Sequence, residues 1–361
     1  MSSRPPESPR PPRVDSAILA VLASAVLFGA STPLARGLAA TLDPLWLAGA
    51  LYAGSCLGLA TSLLLRRRGD GPRPPPLIAP ADIGWLAAAI GCGGVLAPVA
   101  FAFGLREVSG AAASLLLNLE TVFTVAIAWF LFGEHRSARV VIGMTLVVAG
   151  CAMLGFQGGP GAASLRGAGL LALACVLWAA DNNLTRKVAA NDAVALAAAK
   201  GLTGGVVNCS LAWALAGAPA SLADIGGAAA VGLVGYGISL VLFIVALRGI
   251  GVARASAYYG VAPFIGVAVA FAVLGERPSP LFWPALALMA VGVALHLTER
   301  HVHGHVHAPT DHTHAHSHDE HHRHAHDFPW DGREPHVHPH RHAPMTHTHP
   351  HFPDLHHDHS H

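Results

Sequence analysis

Ten apolar stretches, each near the length that crosses a lipid bilayer, limit what this chain can fold into. A transmembrane helix needs about 20 mostly apolar residues, and it satisfies its own backbone hydrogen bonds. The stretches lie at residues 17–38, 45–65, 83–105, 109–132, 140–156, 167–184, 193–215, 225–247, 252–274 and 281–297. Of the 361 residues, 53% are hydrophobic and only 12% are charged. The sequence therefore predicts an all-α membrane protein with ten transmembrane helices, preceded by a disordered segment at 1–15.

The distribution of basic residues predicts the orientation in the membrane. Thirteen Lys and Arg residues fall on the side where the chain starts, and four fall on the other side. Loops rich in Lys and Arg remain in the cytoplasm. We therefore expect a multi-pass protein of the cell (inner) membrane with both termini cytoplasmic.

The chain also repeats itself at a fixed spacing. Gly133-Glu134 recurs as Gly275-Glu276, and Leu105-Arg106 recurs as Leu247-Arg248, both at an offset of 142 residues; nearer the start of each half the offset is 150. Each half holds five spans, which is an odd number, so the second half must be inverted relative to the first. Inverted repeats are typical of secondary transporters, with the substrate site near the membrane midplane.

Three segments carry a resemblance to the EamA-type branch of the drug/metabolite transporter superfamily. They are Phe28-Gly-Ala-Ser-Thr-Pro33, Trp129-Phe-Leu-Phe-Gly-Glu134, and Ala262-Pro-Phe264 continued to Leu274-Gly-Glu276. The resemblance implies two five-helix repeats, at 16–156 and 157–298, and a transport function. One departure is Thr121, where the pattern usually has proline, as it does at Pro263.

Three ionisable residues at membrane depth are candidates for the transport pathway: Glu120, Asp181 and Lys200. Charges inside a membrane are costly, so each one suggests a function. Glu120 corresponds to Ala262 in the other repeat, so the fold does not require a charge there. Two interpretations stay open: a buried carboxylate that exchanges protons in a substrate cavity, or a structural carboxylate–lysine pair that locks the bundle.

Neutral polar residues are candidates for lining the same cavity. They are Ser31, Thr32, Asn118, Asn182, Tyr258 and Tyr259. Hydrogen bonding between helices is the alternative role for such residues.

A histidine-rich tail occupies residues 299–361. It holds 23 of the 25 histidines, and from His301 onward eight acidic residues against three arginines give a net charge of −5 when the histidines are neutral. Imidazole is a good ligand for Zn²⁺, Ni²⁺ and Co²⁺. The candidate ligands are His301, His303, His305, His307, His312, His314, His316, His318, His321, His322, His324 and His326. The tail cannot bury an apolar core, so we expect it to be disordered. Its histidines should bind divalent metal, about five or six ions at four ligands each.

These features favour a non-enzymatic transporter that needs no cofactor, because the chain has no HExxH, GxSxG or triad-like grouping. The first hypothesis is export of a small organic metabolite or amino-acid-like solute in exchange for protons at Glu120. The second is a divalent metal transporter for Ni, Co or Zn whose tail collects or senses the ion. The third is a membrane anchor for a metal-buffering tail. The expected partners are the bilayer, a small-molecule substrate, divalent metal ions and, as an open alternative, a second copy in a homodimer; a net charge of +1 without a basic aromatic patch argues against nucleic acid.

Overall fold

The fold is mainly helical in the part of the chain that the computed structural model describes. That part comprises residues 14–67, 82–132, 137–155, 164–186, 188, 192–297, 302–307, 310–316, 336–342 and 345–350. The helices are α1 (Val14–Leu38), α2 (Pro44–Arg67), α3 (Ile83–Ala89), α4 (Ala97–Leu105), α5 (Gly110–Leu116), α6 (Leu119–Phe132), α7 (Ala138–Gly155), α8 (Leu165–Arg186), α9 (Ala193–Ala216), α10 (Leu222–Gly232), α11 (Ser239–Tyr259), α12 (Ala262–Leu274) and α13 (Phe282–Leu297). Two π-helical segments, π1 (Ile90–Leu96) and π2 (Leu233–Ile238), connect α3 to α4 and α10 to α11.

The helices match the apolar stretches in the sequence. Eight of the described helical stretches are long and apolar enough to cross a membrane, and α12 and α13 are shorter apolar helices. The prediction of an all-α membrane fold is confirmed. Four predicted segments lie outside the described residues: 1–13, 68–81, 156–163 and the Gly-Glu pair at 133–134.

Helix α11 includes a reversal of the chain between the eighth and ninth predicted spans. A straight helix would separate residues 243 and 259 by about 24 Å at 1.5 Å per residue. The rings of Phe243 and Tyr259 are instead 4.7 Å apart. The chain therefore turns back between these two residues, and its second arm continues into α12 as the ninth span.

Close backbone contacts hold the helices together. Inside a membrane, helices associate through close packing and not through the hydrophobic effect, and small residues allow this packing. Helix α2 packs along α9, and α7 packs along α13. Gly143 of α7 and Gly292 of α13 face each other: a Cβ on Gly143 would lie 2.7 Å from the Gly292 carbonyl oxygen, and a Cβ on Gly292 would lie 2.6 Å from the Gly143 carbonyl oxygen. A side chain at either position would push the two helices apart.

Both repeats interrupt regular α-helix at equivalent places. The π1 and π2 segments are separated by the repeat offset, and Gly93 in π1 corresponds to Gly235 in π2. The fourth span breaks at 117–118 between α5 and α6, and the ninth breaks at 260–261 between α11 and α12. Discontinuous helices near the midplane are how secondary transporters build substrate sites.

The tail forms a second compact unit, Arg300–Pro353, separate from the helical unit that extends to Glu299. It contains four short strands, β1 (Val302–His307), β2 (Thr310–His316), β3 (His336–His342) and β4 (Met345–Pro350). Antiparallel pairing joins β1 to β4 and β2 to β3. Over these ranges the structure differs from the expected disordered tail, because alternating His with Val, Thr or Ala has the two-residue period of a strand. The other tail ligands predicted above, His301, His318, His321, His322, His324 and His326, lie outside the described residues.

Candidate functional site

A cavity of about 710 Å³ lies inside the helical unit. It is lined mainly by α1, α2, α6 to α9, α11 and α13, and by the repeat-related helix breaks. Its polar and aromatic lining residues are Phe28, Tyr52, Ser55, Asn118, Glu120, Thr121, Trp178, Asn182, Lys200, Tyr236, Ser239, Phe243, Ser256, Tyr259 and His296. A cavity of this size accommodates a small organic molecule.

The cavity extends from the middle of the bundle toward the membrane face where α1 begins, which we call the N-terminal face. Glu120 lies near the middle of the fourth span. Leu59 lies late in α2, Met144 lies early in α7 and His296 lies in the last turn of α13. Because successive spans alternate in direction, these three positions are all displaced toward the same face.

Glu120 occupies the first turn of α6, directly after the helix break. The Asn182 side-chain amide donates a 2.9 Å hydrogen bond to Glu120 Oε1 and lies 3.4 Å from Thr124 Oγ1. Asn118, at the break itself, donates to the Leu115 carbonyl oxygen at 2.8 Å. Within the described part of the chain, no basic side chain forms an ion pair with Glu120. Its carboxylate is therefore available to whatever enters the cavity.

Asp181 and Lys200 form the second polar group of the site. Lys200 Nζ lies 2.5 Å from Asp181 Oδ1 and 2.6 Å from Thr185 Oγ1. The Thr185 hydroxyl donates in turn to the same carboxylate oxygen at 3.0 Å. Lys200 also lines the cavity, whereas Asp181 lies behind it. Asp181 thus neutralises Lys200. Of the two interpretations that the sequence left open, these two residues form the carboxylate–lysine pair.

The structure brings five of the sequence-predicted residues to the cavity: Glu120, Lys200, Asn118, Asn182 and Tyr259. It does not bring Ser31, Thr32 or Tyr258 there. Ser31 and Thr32 are buried between helices, and the Ser31 hydroxyl donates to the Phe28 carbonyl oxygen of its own helix at 2.6 Å. Tyr258 is one position away from Tyr259, so it points to a different face of the helix, where it is exposed.

Sequence reasoning missed a chain of aromatic rings along the cavity wall. Tyr52 contacts Tyr236 at 6.5 Å, Tyr236 contacts Phe28 at 5.8 Å, and Phe28 contacts Tyr259 at 5.5 Å, measured between ring centroids. Phe243 extends this chain beyond Tyr259. One signal could have found part of it: Phe28 is related by the 150-residue offset to Trp178, which also lines the cavity.

The hydroxyls of these tyrosines are taken up by the protein itself. Tyr52 donates to the Gly93 carbonyl oxygen at 2.6 Å and accepts a 3.2 Å hydrogen bond from Trp178 Nε1. The hydroxyls of Tyr236 and Tyr259 have side-chain hydrogen-bond partners in Ser31 and Ser239. The tyrosines therefore offer the cavity their rings more than their hydroxyls.

The opposite end of the bundle is held by contacts between the two repeats. Glu276, which follows α12, accepts hydrogen bonds from the backbone N–H groups of Gly110 and Ala111 at 2.6 and 2.9 Å. Within the first repeat, Arg106 Nη2 donates to the Leu42 carbonyl oxygen at 2.7 Å. The Gly275-Glu276 segment is therefore an anchor for the start of α5.

The described residues contain eight helical stretches that could cross a membrane and two shorter apolar helices. Together with the helix breaks at equivalent places in the two halves and the Glu120 carboxylate in a central cavity, they define the class of multi-pass membrane transporters. The family model of the EamA-like transporter family matches residues 15–156 and 165–298. The chain belongs to that family.

Two further similarities accompany the family match. An uncharacterized transporter of Methanothermobacter thermautotrophicus (strain Delta H) is 25% identical over 205 residues, which is 55% of this chain and 60% of the relative. A solved crystal structure of a protein superimposes with a TM-score of 0.56 at 21% identity, covering 78% of this chain and 95% of that one. The matched region spans about 60% of the length of the curated relative, and the solved structure supports the fold alone.

Proposed function

We propose that the protein exports a small organic solute in exchange for protons, and that Glu120 binds the two in turn. The observation that carries this proposal is the Glu120 carboxylate at the helix break, which faces a cavity of molecular size and has no ion-pair partner among the described residues. A carboxylate inside a membrane is costly to retain without a use. The N-terminal face, toward which the cavity extends, is the face predicted to be cytoplasmic, and this supports loading from inside the cell.

Other titratable groups surround Glu120 and take part in its electrostatic environment. They are Asp181 and Cys175 on α8, Lys200 on α9, Tyr52 on α2, Tyr236 on π2, Tyr259 on α11 and His296 on α13. Among them Asp181 and Lys200 neutralise each other through their ion pair. Glu120 is therefore the group that we assign to proton exchange.

Proton-driven transport in vesicles tests the proposal. The full chain is reconstituted with a pH-sensitive dye inside, and a panel of amines, amino acids and organic acids is applied across an imposed pH gradient. We expect solute-dependent proton flux that Glu120→Gln reduces to the level of empty vesicles, while Phe130→Leu, a change at an exposed ring outside the cavity, leaves it intact. Unchanged flux in Glu120→Gln would exclude the proton-exchange role, and Ni²⁺-driven flux would favour metal as the substrate.

We also propose that the tail binds divalent metal at the cytoplasmic face. Its strand register supports this: His303 and His305 lie opposite His349 and His347, and His312, His314 and His316 lie opposite His340, His338 and His336. Directly opposed residues of an antiparallel pair have Cβ atoms about 4.5–5.5 Å apart, which two ligands of one ion can span.

Calorimetric titration with Ni²⁺ measures this binding. The full chain should bind several ions, and a chain that ends at Arg300 should bind none with comparable affinity. Equal binding by both chains would place the metal site outside the tail.

A further inference from the structure

We propose that the solute is an organic monocation, an amine or ammonium compound with an aromatic or aliphatic body, held between Glu120 and the ring chain Tyr52–Tyr236–Phe28–Tyr259–Phe243. This inference rests on the proposed function, because it assigns a chemical class to the solute of the same cavity. It follows from the charge of the cavity and from the kind of side chain that covers its wall.

The charges favour a cation. Lys200 is the one Lys or Arg among the described lining residues, and its ammonium is held by Asp181 and Thr185. Among the described residues, Glu120 has an amide donor, Asn182, but no ion-pair partner. An entering ammonium group would supply the missing positive charge, whereas an entering carboxylate would have to take Lys200 from Asp181.

The rings favour a cation with an apolar body. Five rings from α1, α2, π2 and α11 run continuously along the wall, and each consecutive pair lies 4.7–6.5 Å apart. Aromatic faces attract ammonium groups within about 6 Å and also cover apolar groups well. With their hydroxyls bonded inside the protein, Tyr52, Tyr236 and Tyr259 contribute mainly as rings.

The helix break places the carboxylate and the rings around one space. Glu120 follows the break of the fourth span, and Tyr259 precedes the equivalent break of the ninth span. Both residues line the same cavity. A molecule bound there would contact both repeats beside their helix breaks, where inverted-repeat transporters bind their substrates.

Four compounds with one phenethyl body and different charges test the assignment: phenethylamine as a cation, phenethyl alcohol as a neutral compound, 3-phenylpropanoate as an anion and phenylalanine as a zwitterion. Their affinities for the purified full chain are measured by calorimetry at neutral pH without a proton gradient. We expect phenethylamine to bind at least about tenfold more tightly than each of the other three. Tighter binding of phenylalanine or 3-phenylpropanoate, or equal binding of the alcohol, would overturn the proposal.

Matched variants separate the carboxylate from the rings. Glu120→Gln should weaken phenethylamine about tenfold and leave the alcohol within about twofold. Tyr259→Phe should keep the affinity, and Tyr259→Leu should lower it about threefold to tenfold. Phe243→Leu should do the same, whereas Phe130→Leu, whose ring is 76% exposed outside the cavity, should not. Equal effects of Phe243→Leu and Phe130→Leu, or none of Glu120→Gln, would contradict the site.

This experiment can fail independently of the proposed function. Proton-driven flux of phenylalanine without phenethylamine binding would leave proton exchange standing and overturn the cation assignment. Phenethylamine binding that depends on Glu120 without any proton-coupled flux would do the reverse.

Discussion

The two repeats share their backbone and differ in the side chains that the backbone presents. Gly93 of π1 lies so close to Asp181 of α8 that a Cβ there would overlap the carboxylate. Its counterpart, Gly235 of π2, lies equally close to Ser31 of α1. Since Ser31 and Asp181 are themselves repeat-related, the same contact is made twice with different chemistry.

The difference is concentrated at a few positions. Helix α1 carries Ser31-Thr32-Pro33 where α8 carries Asp181-Asn182-Asn183, Ala50 stands where Lys200 does, and Ala262 stands where Glu120 does. The same fold accepts an uncharged residue at each of these positions, namely Ser31, Ala50 and Ala262. The fold therefore does not require a charged residue at these three positions.

Relocating the carboxylate from one repeat to the other should have the largest effect. Glu120→Ala combined with Ala262→Glu keeps the number of carboxylates but removes the Asn182 donor, because the residue corresponding to Asn182 is Thr32, which is buried away from the cavity. We expect proton-coupled flux in vesicles to fall to the level of empty vesicles. Ala262→Gln in the same background controls for the added volume at a buried position, and size-exclusion chromatography checks folding. Restored flux in the relocated variant would mean that either repeat can host the carboxylate.

Replacing residues of the Asp181–Lys200 ion pair by their counterparts in the first repeat should have the next largest effect. Lys200→Ala alone leaves the buried Asp181 without a cation, and should lower the free energy of unfolding by about 3–5 kcal/mol. Asp181→Ser together with Lys200→Ala reproduces the Ser31 and Ala50 pair of the first repeat, and should cost markedly less than the single variant. Unfolding in mixed detergent and SDS micelles measures both. If the double variant lost as much free energy of unfolding as Lys200→Ala and Asp181→Ser added together, the two residues would not be coupled.

The equivalent glycines should respond unequally. Gly93→Ala must displace the Asp181 carboxylate, which is tied to Lys200, and should cost about 1–3 kcal/mol of the free energy of unfolding. A Cβ on Gly235 would lie 2.4 Å from the Ser31 Cβ, but Gly235→Ala disturbs no ion pair and should cost less. The same micelle assay compares them, and placing Gly93→Ala in the Asp181→Ser, Lys200→Ala background should reduce the difference. Equal costs in the native background would mean that backbone contacts dominate at both places.

The fold could be predicted because its causes are local and repeated along the sequence. The apolar stretches set the spans, and the Gly-Glu recurrence revealed the inverted halves. The carboxylate of Glu120 was predictable too, since an ionisable residue at membrane depth stands out in any window. These inferences needed no knowledge of which helices touch.

The partners of each residue could not be predicted in the same way. Tyr52 and Tyr236 meet across two helices separated by almost 200 residues, and no periodicity in the sequence joins them. Ser31 and Tyr258 lie on spans that line the cavity but face away from it, because the rotation of each helix is set by close glycine contacts. A residue's depth in the membrane follows from the sequence, whereas the direction in which its side chain points depends on helix packing.

Ser31→Ala should have the smallest effect. It changes the residue of the first repeat that corresponds to Asp181. The Ser31 hydroxyl donates to the Phe28 carbonyl oxygen three residues earlier in the same helix and is the side-chain hydrogen-bond partner of Tyr236. Its loss removes neutral hydrogen bonds but no charge, so we expect a change of about 1 kcal/mol in the free energy of unfolding and vesicle flux within about twofold of the native chain. Asp181→Ala, the equivalent change in the second repeat, should be far more disruptive because it leaves Lys200 without its anion. A tenfold loss of flux in Ser31→Ala with unchanged stability would return Ser31 to the transport pathway.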